Sequence, residues 1–135
     1  MLFKKIEEYI PHRPPMVLVT QLLSVTDNKI EALASLSSDI WFIRPDGFLE
    51  PATYVEILAQ CFAAGSGVTH PQQIGYLAGI KKLQTHALVR PPCILKACVE
   101  PITSLANIIA LRGTLFHGQE QLAQAEFKIY VPNQL

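Results

Sequence analysis

Pro51-Ala52-Thr53-Tyr54-Val55-Glu56-Ile57-Leu58-Ala59-Gln60-Cys61-Phe62-Ala63-Ala64-Gly65 reads as one helix. Pro51 suits a first helical turn, where its missing N–H is not needed. Gly65-Ser66-Gly67 reads as the helix end. The segment is apolar almost all round, so it should be buried inside the molecule. Two polar side chains break the pattern. Glu56 and Gln60 are four apart and share a face, and Thr53, three before Glu56, joins the same stripe. A carboxyl group among apolar neighbours is the kind of proton carrier that general acid–base catalysis uses. The same stripe turned to water is an ordinary solvated face.

Strands are expected on both sides of this helix. Upstream, residues 3–10 suit a short amphipathic helix ended by Pro11, and Pro11-His12-Arg13-Pro14-Pro15 is a stiff connector. Met16 to Val25 is apolar and β-branched and reads as a strand, Asp27-Asn28 as a turn, and Ile30 to Leu36 as a second strand. Residues 37–50 form a loop with bulky Trp41, Phe42, Ile43, Phe48 and Leu49, turned at Pro45-Asp46-Gly47. Downstream, Gly75 to Leu83 and Cys93 to Val99 read as strands, and His117-Gly118 joins the last two strands in a tight turn. In the final strand Ala123, Ala125, Phe127, Ile129 and Val131 face one way. Two strands, one buried helix and four strands argue for an α+β domain, an antiparallel sheet wrapped on one helix. Such a sheet covers one face of the helix, so a second subunit is expected at the other face or at the sheet edge.

The composition narrows the function classes. The 135 residues suit one domain, and with half of them hydrophobic and only 16% charged they are enough for a packed core. Eleven basic and eleven acidic side chains cancel, which disfavours nucleic-acid binding. Cys61, Cys93 and Cys98 are odd in number and suit reduced thiols better than a disulfide framework. No apolar run approaches the roughly 20 residues of a membrane helix, and residues 1–8 carry acids where a secretory signal has its apolar run. A cytoplasmic protein is expected, with no metal, since no two histidines stand at ligand spacing.

Four stretches together carry a family resemblance. Pro11-His12-Arg13-Pro14-Pro15-Met16-Val17-Leu18-Val19 resembles the opening "PHR-x-P-hydrophobic" stretch of 3-hydroxyacyl-acyl-carrier-protein dehydratases. Pro51 to Gln60 resembles their central helix, Gly75-Tyr76-Leu77-Ala78-Gly79-Ile80-Lys81-Lys82 their following strand, and Val89-Arg90-Pro91-Pro92 their "V-x-PG" turn. The order matches over nearly the whole chain and the spacing is compatible, with Pro51 to Glu56 one residue shorter than in the typical enzyme. The resemblance implies a hotdog fold, an antiparallel sheet around one long central helix, dimerised edge to edge with sites at the interface. It implies a homodimer or higher even homo-oligomer. It also implies a substrate carried as a thioester on the phosphopantetheine of acyl carrier protein, or on CoA, with no further cofactor. In such enzymes a loop histidine takes the C2 proton, a helix acid from the other subunit protonates the departing hydroxyl, and a backbone N–H at the helix N-terminus polarises the thioester carbonyl. Glu56 matches the acid, Gln60 the glutamine that follows it, and Ala52 the residue of that N–H. Gly47, Leu77 and Ala78 fall on matching substrate-side positions.

One departure is plain. Where those enzymes have "GHFPG", this chain reads Trp41-Phe42-Ile43-Arg44-Pro45-Asp46-Gly47-Phe48, without a histidine. The predicted dehydratases of aryl-polyene clusters are similar to it in having "DG" there. Asp46 is then the candidate second catalytic group, unless Glu56 performs both proton transfers, alone or through a water. A thioesterase of the same fold and a non-catalytic acyl-binding subunit are the alternatives. His12, in its proline-rich connector, is expected to be structural. Trp41, Phe42 and Phe48 suit either a chain tunnel or the core. Arg44, Lys81, Lys82 and Arg90 suit either a docking patch for an acidic carrier protein or scattered surface charge.

Overall fold

The structure is a computed structural model that describes residues 2–71 and 73–132. Six strands form one antiparallel sheet: β1 (Gln21–Val25), β2 (Ile30–Leu36), β3 (Tyr76–Thr85), β4 (Cys93–Leu105), β5 (Ile108–His117) and β6 (Glu120–Tyr130). Their spatial order is β1-β2-β4-β5-β6-β3. The helix α1 (Ala52–Thr69) lies against the concave face, where Ala34, Leu95, Ala97, Leu115 and Phe127 meet its Ile57, Leu58 and Cys61 in one core. The alternation expected in the last strand is seen: Ala123, Ala125, Phe127, Ile129 and Val131 are all buried. This is the hotdog arrangement.

β3 is shifted by one or two residues at each end from the expected Gly75 to Leu83, and four other boundaries differ from the sequence reading for physical reasons. Residues 3–10 make only a single 3₁₀ turn, Ile6–Glu8, with Ile6 and Ile10 pinned in the core. Met16 to Thr20 is not strand, because the central backbone groups of the segment bond a side chain rather than a neighbouring strand. The N–H groups of Leu18 and Val19 donate to Gln60 Oε1, and Gln60 Nε2 donates to the Met16 carbonyl. β4 continues past Val99 through Pro101, which is tolerated because the register shifts between Pro101 and Thr103. The helix does not stop at Gly65-Ser66-Gly67 but runs to Thr69. There the glycines serve close approach. A Cβ on Gly65 would strike the Ile30 side chain, and one on Gly67 the Tyr9 carbonyl. Gly67 therefore lets the backbone before Pro11 lie directly on the helix.

β3 and β1 are the sheet edges. β3 is exposed nearly throughout, with Tyr76 55% and Ile80 51% accessible. Its pairing with β6 shifts register twice, between Leu77 and Gly79 and between Lys81 and Gln84, where Lys82 takes φ 57°. No helix among the described residues is long and apolar enough to cross a membrane.

Candidate active site

The polar stripe of α1 is split by its surroundings. Thr53 and Gln60 are buried, while the Glu56 side chain keeps 33% of its accessibility. Gln60 uses all its hydrogen-bonding capacity within the chain. Its oxygen accepts from Leu18 N (2.8 Å) and Val19 N (3.2 Å), and its amide donates to Met16 O (2.7 Å) and Glu56 Oε1 (3.0 Å). That leaves no free donor or acceptor position for a substrate. Gln60 ties the connector to the helix and holds one oxygen of Glu56.

The second group beside Glu56 is His12, whose Nε2 lies 3.5 Å from the same Oε1. Expected to be structural, His12 stands in the site because the connector is pressed onto the helix at Gly67 and strapped by Gln60. Its imidazole Nδ1 is buried and has no partner among the described residues, as is true of Thr53 Oγ1. Nothing in the spacing of Pro11-His12-Arg13 announces this contact. The hint available to sequence was a histidine held between prolines, which the connector accounted for as structural.

Glu56 and His12 line a cavity of about 90 Å³ with Tyr9, Ala59, Ala63 and Leu77. Its wall includes Gly75, which precedes the exposed edge β3, and Leu77 within that strand. Through Phe62, Ser66 and Gln73 it adjoins a larger, more open groove of about 510 Å³, which follows the second half of α1 toward Ile30, Val99 and Leu111. A small chamber carrying a carboxyl, beside a larger open groove, suits a reacting head and an elongated tail.

The other predicted residues lie elsewhere or at the margin. Leu77 lines the cavity, whereas Ala78, exposed on β3, is not among its lining residues. Ala52 is exposed at the helix start, where the N–H groups of Thr53 and Tyr54 already donate to Glu50 and Pro51 carbonyls. Asp46 closes its own turn: it pairs with Arg44 (2.7 Å) and accepts from Phe48 N (3.1 Å), and it is absent from the cavity lining. Gly47 serves that turn with φ 88°. Trp41 is 71% exposed, Phe42 packs on the core, and Phe48 lies under the Arg90 guanidinium at 4.2 Å. None of the three lines the Glu56 cavity. Among the described residues no three His, Cys, Asp or Glu side chains converge on a point that could hold a metal. Cys61 is buried, which pushes its thiol well above the usual range, and Cys93 and Cys98 are half-buried; all three are free.

Comparison with known proteins places this geometry. The profile of the ApeP-like family, described as ApeP dehydratase, matches residues 4–135. The 3-hydroxyacyl-[acyl-carrier-protein] dehydratase FabZ of Caldanaerobacter subterraneus subsp. tengcongensis is 29% identical over 134 residues, covering 91% of this chain and 92% of the relative. That of Petrotoga mobilis is 26% identical over 134 residues, with 96% of each chain covered. Among solved structures, the dehydratase heterocomplex ApeI:P from Xenorhabdus doucetiae superposes with a TM-score of 0.88 at 22% identity, over 98% of this chain and 94% of that one. The helix acid in a hotdog frame, the "DG" turn in place of a histidine loop and a profile match over almost the full length agree: this chain belongs to the ApeP-like dehydratase family.

Proposed function

We propose that the Glu56 cavity dehydrates a 3-hydroxyacyl thioester, carried on acyl carrier protein, to the trans-2-enoyl thioester. The observation that carries this reading is the asymmetric hold on Glu56. Oε1 is engaged by Gln60 and faced by His12, while Oε2 has no partner among the described residues, at the wall of a cavity that adjoins a larger open groove. A carboxyl held by one oxygen and free at the other is arranged to hand over a proton in a fixed direction. Its proton goes to the C3 hydroxyl as the C3–O bond breaks. The C2–H pair forms the new double bond, and water leaves. The chain needs no cofactor of its own for this step, because the thioester supplies the electron sink. It works in the cytoplasm, where its carrier-bound substrate is made.

The base for the C2 proton comes from a second hotdog subunit docked along β3. Support comes from the cavity wall, part of which is the exposed edge strand itself, so a subunit pairing there closes the chamber. The partner is a copy of this chain or a related hotdog chain; ApeI:P, which shares the fold, is a heterocomplex. Within its own subunit Asp46 does not line the Glu56 cavity, and its carboxylate pairs with Arg44 and accepts from the Phe48 N–H.

The reaction class is tested by giving the purified protein, and its copurified subunit if one is present, 3-hydroxyacyl thioesters of graded length on carrier protein. Mass analysis of the carrier should show loss of one water with the thioester intact. Release of free thiol instead identifies a thioesterase, and an unchanged substrate at every length identifies a binding subunit.

A further inference from the structure

We infer that His12 is the positioning residue of Glu56: its Nε2 faces Glu56 Oε1 at 3.5 Å and, with Gln60 Nε2 at 3.0 Å, fixes that oxygen so that Oε2 alone moves the proton. The inference rests on the dehydratase reading of Glu56 and deepens it.

The surroundings of Nδ1 set the imidazole as a donor at Nε2, although the side chain as a whole keeps 29% of its accessibility. Nδ1 is buried and unpartnered among the described residues. A proton on Nδ1 would bury an unpaired donor and turn the Nε2 lone pair on a carboxylate oxygen. A proton on Nε2 avoids both and points at Glu56.

The ring is also held by a rigid scaffold. Pro11 precedes it and Pro14-Pro15 follow, so the backbone on either side has little freedom. The Arg13 guanidinium donates to the carbonyls of Ile10 (2.9 Å) and His12 (2.7 Å), bracing the backbone across the residue. Ile10 is anchored in the core, and Tyr9 lies on the helix over Gly67. Four independent features thus converge on the placement of one side chain. Glu56, by contrast, is a flexible, part-exposed side chain that Gln60 alone holds at a single point. Reaction rates are sensitive to displacements of the order of 1 Å in such a group.

The test compares His12→Phe, which keeps a ring of similar volume without the donor, with His12→Gln, which restores an N–H. Both are measured for kcat, for the affinity of a non-reacting 3-oxoalkyl thioether analogue, and for thermal midpoint. His12→Phe should lose kcat by about 10- to 100-fold, with analogue affinity and midpoint close to wild type, and His12→Gln should recover part of it. Added to Glu56→Gln, His12→Phe should cost nothing further, because a residue acting through Glu56 has no effect once the acid is gone. Wild-type kcat in His12→Phe overturns the inference, as does an undiminished loss in the Glu56→Gln background. A wild-type protein that turns nothing over overturns the dehydratase reading itself, and this inference with it.

Discussion

Gln60 shows how much one buried amide can organise. It makes four hydrogen bonds, to Leu18, Val19, Met16 and Glu56, and so sets both where the connector ends and how the acid is held. Gln60→Leu keeps the volume but strands two backbone N–H groups and a carbonyl in the interior. It should cost about 2–4 kcal/mol, read as a lowered urea midpoint. A midpoint within error of wild type contradicts the framework role. The sequence disclosed Glu56 and Gln60 as an odd pair on an apolar helix, because four-residue spacing is local information. It did not disclose what Gln60 bonds, since Leu18 lies 42 residues away. His12 was hidden for the same reason. Its pairing with Glu56 exists only after the connector is folded back onto α1. Asp46 stood out in sequence as the acid of a "DG" turn, and its short-range partners Arg44 and Phe48 account for it locally.

At the level of elements, the glycines of α1 carry the main lesson. A glycine near the end of an apolar helix has two readings, a cap or a site of close approach, and pattern alone does not separate them. Here the neighbours Ile30 and Tyr9 separate them, and both belong to other elements. Gly67→Ala should push Tyr9 off the helix. We expect a loss of about 1–3 kcal/mol, together with a fall in kcat as His12 moves away from Glu56. Full stability in a thermal melt contradicts that packing. Strands with strict alternation were legible nearly to the residue, as Ile30–Leu36 and the final strand show. Met16 to Thr20 was not, because β-branched composition does not reveal that a glutamine side chain intercepts the backbone. Nor was the run of β4 beyond Val99, since a bulge at Pro101 is invisible to a rule that keeps proline out of sheet interiors.

The whole molecule is a sheet closed on one helix with an open edge. The count of two strands, one helix and four strands was readable from periodicity and fixed the α+β class. The hotdog identity needed the ordered motifs as well. The exposed first half of β3, with Tyr76, Leu77 and Ile80, is the proposed seat of a second subunit. Ile80→Lys, placed on that edge, should yield a monomer by analytical ultracentrifugation and depress turnover, while leaving the circular dichroism of the chain unchanged. An assembly of undiminished size places the interface elsewhere.

The role of Glu56 as the proton donor is decided by the single-turnover rate of enoyl formation on carrier protein, measured for wild type and Glu56→Gln, each in its native assembly. Glu56→Gln should fold and assemble as wild type does but form the enoyl thioester about 10²–10⁴-fold more slowly. A Glu56→Gln protein that dehydrates at the wild-type rate shows that the proton comes from another group.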